Sequence, residues 1–146
     1  MAANYLKAMQ SYLKDSDLPK LEQLVVTKSW WDTVDILDRV VGSLVYDKPE
    51  LEKIILQWSL SDNIWLRRVA IDHQLLRKEK TNVQLMEKIL LHNLNQTEFF
   101  INKAIGWALR DYSKTNPAWV ACFIEKNKER MAELSIKEAS KYLSHH

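Results

Sequence analysis

Residues 29–45 read SWWDTVDILDRVVGSLV. Trp30, Val34, Leu37, Val41 and Leu44 recur at steps of three or four, the apolar stripe of an amphipathic helix. The register returns twice more. Ser29-Trp30-Trp31 aligns with Asn63-Ile64-Trp65 and with Glu98-Phe99-Phe100, at offsets of about 34 and 35 residues. Each of these helix starts is followed, after the helix and a short loop, by a second, shorter helical segment, over 49–59, 82–94 and 117–127. A two-helix unit at this period predicts an all-α, HEAT-like helical solenoid with a concave basic surface, in which each unit buries the apolar face of the next. The alternative is an irregular helical bundle.

Working outward, residues 2–13 place Tyr5, Met9 and Leu13 on one face, and Leu21, Leu24 and Val25 mark a short second helix. Pro49 opens a helix to about Ser59 with Leu51, Ile54, Ile55 and Trp58 inward, since a first-turn proline lacks only an N–H that has no helical partner. Ser61 or Asp62 is expected to cap a helix through Arg77, Thr81 or Asn82 another through Leu94, and Thr97 one through Ser113. Asn116-Pro117 repeats the cap-plus-proline start, and Ser135 with Glu138 reads as a capping box for a last helix to Leu143. The whole of 1–146 is expected to be one domain of stacked pairs, with 1–25 a partial N-terminal unit. His145–His146 reads as a possible tag remnant and is left out of the functional argument.

Composition supports the helical reading. Two glycines and three prolines in 146 residues are too few for tight hairpins. A hydrophobic share of 47% against 27% charged residues fits an ordinary globular core. No apolar run approaches the ~20 residues that cross a bilayer, and no signal peptide is visible, so the expectation is a cytoplasmic protein with no membrane contact. Cys122, the single cysteine, fits a reducing compartment and is expected to be buried and inert. His73 and His92 have no partner at zinc-ligand spacing. There is no Gly-rich phosphate loop, nucleophile elbow or paired cysteine, and no cofactor is expected.

The chemistry lies on the long helices. Trp31 and Asp35 are four apart and share a face distinct from the Trp30 stripe. Arg67 and Arg68 follow Trp65; Lys103 and Trp107 are again four apart, with Arg110 and Lys114 continuing that side. For each of these residues the ordinary reading is packing for the indoles and a solvated surface for the charges. Together they offer indoles for stacking, cations for a phosphate backbone and a carboxylate that can stabilise developing positive charge. A duplex carrying a cationic N-alkylated purine would use all three, because breaking its N-glycosidic bond leaves oxocarbenium character on the sugar.

TKSWWDTVD at 27–35, SDNIWLRR at 61–68 and FFINKAIGWALRDYSKTNP at 99–117 strongly resemble the AlkD-like DNA alkylation repair glycosylases. The similarity runs from about Asp17 to Leu143, and the motifs are long and correctly ordered. The resemblance implies a HEAT-like solenoid that excises N7-methylguanine and N3-methyladenine from double-stranded DNA without metal or cofactor, with the lesion still largely in the duplex. It also implies Asp35 as the catalytic carboxylate, Trp31 and Trp107 as aromatic walls at the lesion, and Arg68 as a DNA-contacting arginine. Lys28, Arg67, Lys103, Arg110 and Lys114 are added as phosphate contacts from charge and surface position alone.

The departure from the family is at the N-terminus. Family members carry further helical pairs ahead of the matching region, so this chain is expected to correspond to the C-terminal two-thirds of the family, as a fragment or a shortened homologue. An exposed N-terminal repeat face would then favour self-association, and a shortened positive track would weaken DNA binding. That leaves open a non-catalytic HEAT-like module that binds DNA or protein.

Overall fold

The computed structural model describes residues 18–27, 31–95 and 97–143, with the backbone alone for 27 and 31–36. The helix expected over 2–13, the cation Lys28, the core indole Trp30 and the His145–His146 pair lie outside the described residues. Among the described residues the chain forms eight α-helices and no strand: α1 (Leu18–Thr27), α2 (Trp31–Val45), α3 (Pro49–Trp58), α4 (Ile64–Asp72), α5 (Val83–His92), α6 (Phe99–Ser113), α7 (Pro117–Asn127) and α8 (Glu133–Ala139). A 3-10 turn, Lys78–Lys80, precedes α5. The fold is an all-helical repeat architecture, built as two compact units, Met1–His73 and Gln74–His146.

In the first unit α2 packs against α1 and α4, and α4 also meets α1 and α3. Leu37, Val40, Val41 and Leu44 of α2 are buried with Leu51, Ile55 and Trp58 of α3 and Leu66, Val69 and Ile71 of α4. Trp58 buries its indole while its Nε1–H donates to Glu22 Oε1 of α1 at 3.1 Å. This satisfies the ring's one polar group. Gly42 has a packing role. A Cβ there would collide with the carbonyl oxygen of His73, so only glycine lets the end of α4 approach α2 this closely.

In the second unit α6 packs on α8 and α7. Tyr112 meets Trp119 edge-on at 5.7 Å, and Trp119 stacks on Phe123 at 5.4 Å, fastening α6 to α7. Gly106 lies where a Cβ would come within 2.7 Å of Glu138 Cβ, and this allows α8 onto α6.

Helix starts follow local chemistry. Asn82 accepts from Leu85 N and Asn116 from Trp119 N, as the sequence predicts. At α4 the cap is Asn63, whose Oδ1 accepts from Trp65 N and Leu66 N. Neither of the expected caps, Ser61 or Asp62, is the N-cap; Ser61 accepts from Asn63 N and braces the residue that does the capping. The helix stops at Asp72 rather than Arg77. Past it, Gln74 Oε1 accepts from Asn82 N at 2.7 Å and Arg77 Nη1 at 3.0 Å, while Leu76 takes a φ of 70° and donates its N–H to Asp111 Oδ2. These side-chain bonds hold a turn that the apolar pattern does not encode.

Two further expectations are corrected. Ser135 is not a cap: α8 begins at Glu133, and Ser135 is buried inside it, donating its hydroxyl to the Asn102 carbonyl of α6 at 2.7 Å. The Ser-x-x-Glu spacing instead puts Ser135 and Glu138 together against α6. Ser135→Ala should cost about 1 kcal/mol, read as a lower urea midpoint at unchanged slope. Cys122 is exposed, not buried. It lies beside Ala121 and Glu125 on the outer side of α7, while Val120 and Phe123 take the core positions.

Candidate functional site

The expected site residues fall in both units. Trp31 and Asp35 belong to the backbone of α2, Trp31 as its first residue; their side chains lie outside the described residues. Arg67 and Arg68 are on α4, which packs against α2. Arg67 is half-buried. Arg68 is 1% exposed, among the largest fully buried side chains of the chain. A guanidinium with no open face cannot reach a phosphate in this arrangement, so the surface role expected of Arg68 is replaced by that of a buried cation in the unit carrying Asp35.

The second unit carries the clearest aromatic–cation geometry. Phe99, Lys103 and Trp107 follow one another at steps of four on α6, which stacks their side chains along one face. Lys103 Nζ lies 5.6 Å from the Phe99 ring centroid and 5.6 Å from that of Trp107. Both distances are within cation–π range. Phe99 is 53% exposed and meets Phe100 edge-on at 5.3 Å, while Trp107 and Lys103 are half-buried. Phe99 was not among the expected site residues. The same i, i+4 step that paired Lys103 with Trp107 would have found it one turn earlier.

Two other cations make contacts within the second unit. Arg110 Nη1 pairs with Glu138 Oε2 of α8 at 3.2 Å, which ties it to helix packing. Lys114 is exposed and sits 5.0 Å from the Tyr142 ring centroid. No group of side chains suited to hold a metal ion occurs among the described residues, and no described helix is long and apolar enough to cross a membrane.

The described residues form a helical-repeat protein whose α6 holds a cation between two aromatic rings. A family model for DNA alkylation repair enzymes matches residues 1–143, and the chain belongs to that family. A solved structure described as a predicted DNA alkylation repair enzyme from Enterococcus faecalis is 36% identical, with a TM-score of 0.89 over 99% of this chain and 68% of that one. Comparison with curated proteins finds no match.

Proposed function

We propose that this member of the DNA alkylation repair family is an AlkD-like DNA glycosylase that hydrolyses the N-glycosidic bond of cationic N-alkylated purines, N7-methylguanine and N3-methyladenine, in duplex DNA. The observation that carries the reading is family membership over 1–143 in a chain whose SWWDTVD motif sets Asp35 on α2, a long helix packed within the first unit.

The chemistry asks little of the protein. The alkylated purine already bears a positive charge, so it leaves with the bonding pair on N9 and becomes neutral. The sugar becomes positive at C1′, and a water adds there and gives up its proton. Free base and an abasic site result. A carboxylate at the sugar is favoured in the transition state more than in the ground state, which is the condition for accelerating the step. Asp35 supplies it and orients the water. Trp31 and Trp107 pack on the deoxyribose and backbone beside the lesion. Arg68 acts from within the first unit. Lys103 meets a phosphate, and its two flanking rings hold the ammonium in place. Lys28, Arg67 and Lys114 add to the positive track, and Arg110 does so from its pair with Glu138.

Release of 7-methylguanine from methylated duplex at neutral pH tests the reading directly. Release above the spontaneous rate, with abasic sites appearing in equal number, supports it; duplex binding with no base freed at long incubation overturns it. Lys103→Gln should lower duplex affinity and flatten the log affinity against log salt plot by roughly one unit, as loss of a single phosphate contact requires.

A further inference from the structure

From Ile101 to Ser113 every residue of α6 is buried except Lys103, Trp107, Arg110 and Asp111. α7 and α8 cover the rest of its surface: Tyr112 meets Trp119 of α7, while Gly106 and the Asn102 carbonyl lie against α8. What stays open is one strip. Phe99, Lys103, Trp107, Arg110 and Lys114 follow one another at steps of four, four, three and four. Such steps keep them within about 80° of arc over a length of about 22 Å.

A solvated helix face commonly alternates acids with bases. α6 holds a single acid, Asp111, and its Oδ2 accepts the Leu76 N–H at 2.9 Å; Glu98 precedes the helix as its N-cap residue. The strip itself is cations and rings, and its two ends repeat one device. Lys103 Nζ is 5.6 Å from the Phe99 and Trp107 ring centroids, and Lys114 Nζ is 5.0 Å from that of Tyr142, beyond α8. Phe99 is 53% and Tyr142 45% exposed, so each ring holds its lysine and keeps an open surface. A lysine already held on a ring has less rotamer freedom to lose on binding.

We infer that one strand of the DNA runs lengthwise along this strip, from Phe99 to Tyr142, and that these two exposed rings are DNA contacts. The inference rests on the glycosylase reading for its ligand, and adds to it a path and two residues. Cations in file ask for repeated negative charge, and open rings between them ask for apolar or flat surfaces beside each charge. A nucleic acid strand offers both; an acidic peptide offers the charge alone. Lys103 and Lys114, about 16 Å apart along the helix, meet separate phosphates. Phe99 and Tyr142 pack on the sugars or bases next to them.

Binding of an unmodified duplex across a salt series tests the path. Lys103→Gln/Lys114→Gln should flatten the log affinity against log salt plot by roughly two units. Lys128→Gln removes an equal charge beside α7, where Lys128 pairs with Glu125, and should leave the slope as it is. Phe99→Leu and Tyr142→Leu should each weaken binding roughly fivefold or more at unchanged slope, because a ring contact releases no counterion. Both rings are exposed, so neither change opens the core. Native affinity in either aromatic variant, or a slope that falls as far in Lys128→Gln as in Lys114→Gln, overturns the path. So does polyglutamate that displaces the duplex at equal charge concentration, since charge alone would then suffice. Base release by a native chain whose aromatic variants bind as it does sinks the path and leaves the glycosylase reading standing. The expected losses in a chain that frees no base do the reverse.

Discussion

Asp35→Asn should lose base release by about a hundred- to a thousand-fold, the usual scale for removing one preorganised electrostatic group, while still binding duplex DNA. The amide keeps the shape of the carboxylate and its reach to a water, but carries no negative charge to set against the sugar. The loss therefore belongs to the rate of the chemical step and not to affinity, because the charge it would meet exists only on the way to the transition state. Single-turnover release of 7-methylguanine, beside duplex binding measured at the same salt, separates the two. A variant that keeps the native rate would move the catalytic role off Asp35. The cationic base also departs slowly unaided, so the spontaneous rate is the floor against which both proteins are read.

The largest stability effect is expected at Gly42. In an exposed helix interior a Gly→Ala change gains about 1 kcal/mol from propensity. Here the added methyl meets the backbone carbonyl of His73, and a backbone carbonyl cannot turn aside as a flexible side chain can. Overpacking of this kind costs about 3 kcal/mol, which for a chain of this size lowers Tm by roughly 6–12 °C. Gly42→Ala should therefore unfold early in a thermal melt and in urea. An unchanged or raised Tm would mean that α2 and α4 are not held in this register.

Much of the helical organisation is legible in the sequence for a simple reason. An amphipathic helix writes its period into the chain: Leu37, Val41 and Leu44 are buried as their spacing predicts, as are Leu51, Ile55 and Trp58. The caps Asn82 and Asn116 are equally local, each reaching an N–H three residues on. Ser135 misleads because the same spacing serves two ends. A Ser-x-x-Glu at a helix start is a capping box, and inside a helix it is one face, and only the neighbour α6 decides between them. Cys122 misleads in the same way, since an apolar segment does not say which of its sides meets the core.

The candidate site divides along the same line. The sequence by itself determined most of the helices, the i, i+4 placement of Lys103 with Trp107, and the motifs that mark the family, because each depends on residues a few positions apart. Only the tertiary structure decided that Arg68, Asp38 and Asp72 are each buried, that Arg110 is tied to Glu138, and that Gly42 admits the His73 carbonyl. Those facts depend on which helix lies against which, and burial and ion pairing are set by neighbours distant in the chain, which no local spacing records.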